Sequence, residues 1–234
     1  FTEKAFPENE AVLTTSVGTA DATSISNELV YEHRIGARAQ YEIAVPVDIH
    51  QSEPGGDTNV GLGDIELAWK YALFHDVTRG SIFAAGGAVV LPTGKESLGL
   101  GNGFTIVEPF AMFGQMLGAS GFLQTHVGVE VPTGHCRGDT EAFVRAAVGY
   151  TMAQDRGFGR VWSPMLEVLI AKPESSAAEW DLVPQMQVSL SKLQHVLLNV
   201  GVRLPLTARE QRKPQVLTYL LWDWFDGGFF QFWR

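Results

Sequence analysis

The 234-residue chain carries 26 acidic against 17 basic side chains, a net charge of -9, with 45 % apolar and only 18 % charged residues. No Lys/Arg cluster is present to neutralise phosphates, which argues against a nucleic-acid partner. Cys136 is the single cysteine and no CxxCH occurs, so an internal disulfide, a thiolate metal cluster and covalent haem attachment are not expected.

No apolar run approaches 18 residues, so no transmembrane helix is expected. A start at Phe1 rather than Met is read as a chain whose signal peptide has been removed. The dominant period is two, the strand period. The first strands are expected near 9–18, 24–35 and 39–50. In the third, Tyr41, Ile43, Val45, Val47 and Ile49 share one face and Gln40, Glu42, Asp48 and His50 the other. Strands near 61–74, 80–92 and 104–116 follow, with Ile65, Leu67, Trp69, Tyr71 and Leu73 opposing Asp64, Glu66 and Lys70. The series continues near 120–132, 141–153 and 160–171, where Leu123, Val127, Val129 and Val131 oppose Gln124, His126 and Glu130. It closes near 180–191, 195–206 and 214–225, with Val196, Leu198, Val200, Val202 and Leu204 opposing Asn199 and Arg203. That makes about 12 strands, far longer than the roughly 5–6 residues of ordinary globular strands. They suit the about 9–11 residues with which a tilted strand crosses a bilayer.

The connections alternate between short and long. Gly36-Ala37-Arg38, the DVTRG turn, Leu117-Gly118-Ala119 and Lys192-Leu193 are short, with DRGFG of medium length on the same side. QSEPGGDTN, GKESLGLGNG, GHCRGDT, KPESSAAE and TAREQRK are longer and polar. VVLPTG (Val89 to Gly94) returns as VEVPTG (Val129 to Gly134), and proline recurs at the long-loop end. Proline cannot donate to a ladder and glycine tolerates the turn that follows, so each copy reads as a strand rim. Long loops on one rim and tight turns on the other are the outer-membrane barrel pattern. The expected fold is all-β: one transmembrane antiparallel up-and-down β-barrel domain over 1–234, with an aromatic C-terminal extension at 226–234. Trp162, Trp180, Trp222 and Trp224 are expected as interfacial girdle residues. A soluble β-sandwich or lipocalin-like barrel alternates too, but strand length and low charge weigh against both.

The order GLGDIELAWKY (Gly61 to Tyr71), GGAVVLPTGKE (Gly86 to Glu96), GLGNGF (Gly99 to Phe104) resembles a family of bacterial outer-membrane barrels. That family is labelled as transporters, or as "MetA-pathway of phenol degradation" proteins. The segment SNELVYEHRIGARAQYEIAVPV also looks like its early hairpin, and the resemblance covers most of residues 25 to 234. It implies a bacterial outer-membrane barrel that passes small, including aromatic, compounds.

With the polar face turned to a wet lumen, Glu28, Glu32, Glu42, Asp48, Asp64, Glu66, Glu108, Glu130 and Glu167 face Arg34, Lys70, Arg145 and Arg203. An excess of acids favours cations in a lumen, as charged rings do in channels. The alternative is that these groups pair across strands and fill a narrow barrel. Asp64, after GLG, reads as a rim residue that holds backbone amides. His126 is expected as a polar lumen residue, and the spacing of His50, His126 and Glu130 does not make a metal site. No cofactor is expected. GHCRGD is not a nucleophile elbow, and Cys136 and His135, adjacent on a rim, point apart, so no enzyme is expected. GLGNG lacks the strand–helix context of a phosphate loop.

The leading expectation is therefore an outer-membrane channel for passive diffusion, with the lipid bilayer and small solutes as partners. A structural or assembly barrel that anchors a protein complex, including an electron-transfer one, stays open beside it. Its contacts would lie in the long loops or at Phe229, Phe230, Phe232 and Trp233. A soluble β-rich binder is the third reading.

Overall fold

Alternation along the chain becomes the two surfaces of one closed sheet. The computed structural model describes residues 1–18, 24–51, 56–134, 138–153, 161–191 and 194–224. The strands are β1 (Glu10–Gly18), β2 (Ser24–Ile35), β3 (Ala39–Gln51), β4 (Thr58–Leu62), β5 (Ile65–Asp76), β6 (Ser81–Leu91) and β7 (Ile106–Leu117). They continue with β8 (Gly121–Pro132), β9 (Glu141–Tyr150), β10 (Met152–Ala153), β11 (Val161–Pro173), β12 (Glu179–Ser189), β13 (Val196–Pro205) and β14 (Gln215–Asp223). β4 and β5 both pair with β3, and β9 and β10 both pair with β11. The segments therefore make twelve staves, each antiparallel to its neighbours. β14 returns to β1, from Glu10↔Asp223 to Gly18↔Gln215, and closes the barrel. Closure leaves no open sheet edge among the described staves.

The surface is inverted relative to a water-soluble protein. Leu29, Ile43, Leu67, Val127, Val144, Leu166 and Val200 face outward and are 37–52 % exposed. Glu32, Glu42, Lys70, Glu108, His126, Glu167 and Asn199 face inward and are at most 8 % exposed. Such an apolar outer band around a polar interior is the transmembrane β-barrel arrangement. Tight turns join the staves at one rim, and Gly36, Gly80 and Gly118 there adopt φ of 64°, 64° and 68°, a conformation that costs other residues a Cβ clash.

At the opposite rim the recurring motifs lock together. The Thr93 hydroxyl donates to the Gly63 carbonyl at 2.8 Å and accepts from the Ile65 amide at 2.9 Å. Asp64 accepts the Gly94 amide at 2.9 Å and the Asn102 amide at 2.6 Å. Asp64 thus holds backbone amides, as its position after GLG predicts. A Cβ on Gly94 would lie 2.2 Å from the Leu100 carbonyl oxygen, so only glycine fits this clasp. The second PTG does less: the Thr133 amide and hydroxyl reach only the Thr105 carbonyl, at 2.7 and 2.9 Å.

Two expectations need correction. The strand expected over 61–74 is interrupted, because Gly63 and Asp64 leave the ladder to serve the clasp. Trp224 is not an outward girdle residue. It is 5 % exposed and stacks on Tyr31, and its amide donates to the Asn9 carbonyl at 3.1 Å, which turns the chain back toward β1. Trp180 is 42 % exposed, as a girdle residue should be, and Trp162 and Trp222 are half-buried. The aromatic extension at 226–234, His135 and Cys136, DRGFG and the Lys192-Leu193 turn lie outside the described residues.

Candidate functional site: the barrel lumen

β1 begins at the tight-turn rim, so the residues before it must start there. The segment over residues 1–9 runs from that rim into the barrel. The Asn9 side chain accepts the Arg34 amide on β2 at 2.9 Å, and the Glu8 amide donates to Gln40 on β3 at 2.7 Å. Ala5, 1 % exposed, packs on Ala68, Ala84, Ala88, Phe110 and Met112 of β5, β6 and β7. Lys70 on β5 donates to the Lys4 carbonyl at 2.9 Å. Farther along, the Thr2 hydroxyl donates to Glu167 on β11 at 2.5 Å, and the Thr2 amide bonds the same carboxylate. Arg145 on β9 donates to the Phe1 carbonyl at 3.4 Å, and the Arg203 guanidinium lies 5.3 Å from the Phe1 ring centre. The segment therefore touches staves right around the wall and runs through the lumen. Sequence reasoning missed it, because FTEKAFPEN carries no strand period.

The expected lumen residues divide into paired and unpaired sets. Glu32 accepts from Gln40, and Lys70 lies 3.8 Å from it. Glu130 lies 3.8 Å from Arg145, whose guanidinium also stands 4.2 Å over the Phe143 ring. Glu167 is taken up by Thr2 and by Gln185 at 3.1 Å. Arg203 bonds Asp181 at 2.5 Å, and Arg212 joins the same carboxylate at 2.5 Å. Asp48 accepts the Ser26 hydroxyl at 2.5 Å. Arg34 is half-buried at the tight-turn rim and donates to the Gly36 carbonyl at 3.1 Å. His126 is fully buried between the edges of Phe110 and Phe143, with its Nε2 4.0 Å from Glu108.

Glu28, Glu42 and Glu66 make no hydrogen bond or ion pair among the described residues, although Glu42 is only 8 % exposed. The wall built by β2, β3, β5 and β7 is acidic, with Glu66 in electrostatic range of Glu108, Glu3 and Glu28. The stretch from β9 to the loop after β13 carries Arg145, Arg203 and Arg212, interleaved with Glu167 on β11 and Asp181 on β12.

Glu8, Glu10 and Asp223 bring carboxylate oxygens within 4.8 Å of one another. The Lys4 ammonium already serves two of them, at 2.6 Å from Glu8 and 2.9 Å from Glu10. Asp181, Glu8, Glu10 and Gln40 are members of the interior network that the strand period did not single out as site residues. Asp181 and Gln40 fall on the same inward faces, so periodicity marked their direction but not their partners.

No family model and no curated relative matches the sequence. Solved structures do match along nearly the whole chain. The COG4313 outer membrane channel from Pseudomonas putida F1 superposes with a TM-score of 0.67 at 12 % identity, covering 96 % of this chain and 98 % of that one. The KdgM porin in complex with disordered oligogalacturonate gives 0.61 at 11 % identity, over 92 % and 99 %. The NanC porin gives 0.62 at 6 % identity, over 92 % and 100 %. At these identities the likeness is one of fold: this chain has the porin-like outer-membrane β-barrel fold.

Proposed function

We propose that the protein is a bacterial outer-membrane channel for passive diffusion of small solutes, with a lumen that favours cations. The observation that carries this reading is the acidic wall of Glu28, Glu42, Glu66 and Glu108, whose first three members have no hydrogen-bond or ion-pair partner among the described residues. Unpaired carboxylates in a narrow lumen lower the energy of a cation beside them and raise that of an anion. KdgM is seen with oligogalacturonate, a polyanion. The acidic wall here would repel such a chain, so the preferred solutes differ in charge. The reading also takes in membership of the transporter family that the GLGD, PTG and GLGNG motifs resemble. The clasp those motifs form gives them a shared structural role, which supports it.

The segment over residues 1–9 favours a second reading, a closed barrel that serves as a scaffold. Single-channel recording in planar bilayers separates the two. A channel gives discrete current steps that grow when residues 2–8 are deleted, with a reversal potential that reports cation preference. A scaffold conducts nothing in the full chain.

A further inference from the structure

The register of the acidic wall places its members in order. Glu42 pairs with Ala68, Ala68 with Ala88, and Ala88 with Glu108. One level of the barrel therefore reads carboxylate, alanine, alanine, carboxylate across β3, β5, β6 and β7. At about 4.8 Å per strand the two carboxylate-bearing positions lie about 14 Å apart along the wall, and closer across its concave face. Glu66 stands one level away, level with Ala44 and Val90, between the two ends. The alanines make an apolar floor, and Ala5 rests on it.

Two features of this row suit a ligand that donates N–H groups. Glu42 is 8 % exposed, and no hydrogen bond or ion pair meets it among the described residues, so its carboxylate oxygens stay open to the lumen. His126, with its Nε2 4.0 Å from Glu108, is 0 % exposed and neither ring nitrogen makes a hydrogen bond among the described residues. Buried polar groups are otherwise nearly always satisfied. The carboxylates are also too far apart to converge on one dehydrated metal ion, which needs about six oxygens at about 2.0–2.6 Å. An elongated cation with charges at its ends and methylenes between them fits the row. Lys4 already shows the lumen holding an alkylammonium between carboxylates.

We propose that the lumen binds linear alkyl polyamines, with ammonium groups at Glu42, Glu66 and Glu108 and the methylene chain on the Ala68–Ala88 floor. The inference deepens the cation-favouring channel reading and rests on it for its physiological meaning. Because Ala5 covers the floor, the amine and the residue 1–9 segment exclude one another there.

Calorimetric titration of the detergent-solubilised full chain with spermidine tests binding without requiring conduction. Saturable binding is expected. Glu42→Gln with Glu66→Gln should weaken it by about tenfold or more, the loss expected for buried charge pairs. Glu210→Gln on an exposed loop should leave it unchanged. Retained heat-modifiability on gels shows that each variant is folded. Ala5→Leu, which loosens the segment from the floor, should bind more tightly than the parent. No saturable heat with either the parent or Ala5→Leu overturns the proposal, as does binding that ignores the two glutamines. Binding by a chain that passes no current sustains the site and sinks the channel reading; current without binding does the reverse.

Discussion

Ala5→Leu is the substitution with the clearest consequence for the lumen. The methyl group of Ala5 lies 1 % exposed against Ala68, Ala84 and Ala88, three side chains no larger than itself. A leucine adds three carbons where the facing wall leaves no space for them. Overpacking of this kind costs about 1–3 kcal/mol. That shifts the balance between seated and released segment by about 5- to 150-fold, at about tenfold per 1.4 kcal/mol. The opposing hold is a handful of polar contacts, each worth about 0.5–1.5 kcal/mol net, and more where a charge takes part. Open-channel time in planar bilayers should therefore rise clearly above that of the parent. A second readout is independent of current. In a Cys136→Ser background, Thr2→Cys should react slowly with a charged thiol reagent in the parent and at least several-fold faster with Ala5→Leu. Equal current and equal thiol reactivity in parent and variant would refute the reasoning, because the floor would then not be what seats the segment.

Other expectations follow from the same geometry. Replacing Glu42 and Glu66 by glutamine removes two lumen charges, each worth about 1 kcal/mol to an ion at about 4 Å in water and more in a narrow pore. Reversal potentials under a salt gradient should move toward zero, and an unchanged cation preference would reject their role. Thr93→Val deletes the hydroxyl bonds to Gly63 and Ile65; with about 1 kcal/mol at stake per bond, the temperature of heat modification on gels should fall. Val127→Arg, on the outer face of β8, should cost about 2–4 kcal/mol of folding into lipid vesicles if it lies near the midplane. Its inward neighbour Gln124→Arg should cost far less, and similar losses at both positions would argue against the assigned faces.

The staves were legible because a single property, side-chain direction, decides them, and direction repeats every second residue. Tyr41 to Ile49 could only be one wall, and the motifs at Pro92 and Pro132 could only be rims. The clasp was half legible: Asp64 after GLG predicted an amide acceptor, but its donors, Gly94 and Asn102, come from elsewhere in the chain. Partner choice inside the lumen was not legible. Lys70 could be placed on the inward face, yet its ammonium reaches Glu32 across the whole of β3. The residue 1–9 segment was invisible for a related reason. Its bond to Glu167 spans 165 positions, and no local pattern encodes a contact of that range. Trp224 misled because an aromatic at a strand end is the usual mark of the interface, whereas here the chain turns it onto Tyr31.

The closure of β14 on β1 fixes where the segment is hinged. Glu10 pairs with Asp223 and Glu32 at the tight-turn rim, so residues 1–9 are moored at one mouth and extend toward the other, where Phe1 meets Arg145 and Arg203. Tight turns face the periplasm in barrels of this kind. The obstruction is thereby part of the barrel's own chain, tethered to the wall at Glu10, so releasing it from the alanine floor leaves it attached at one mouth.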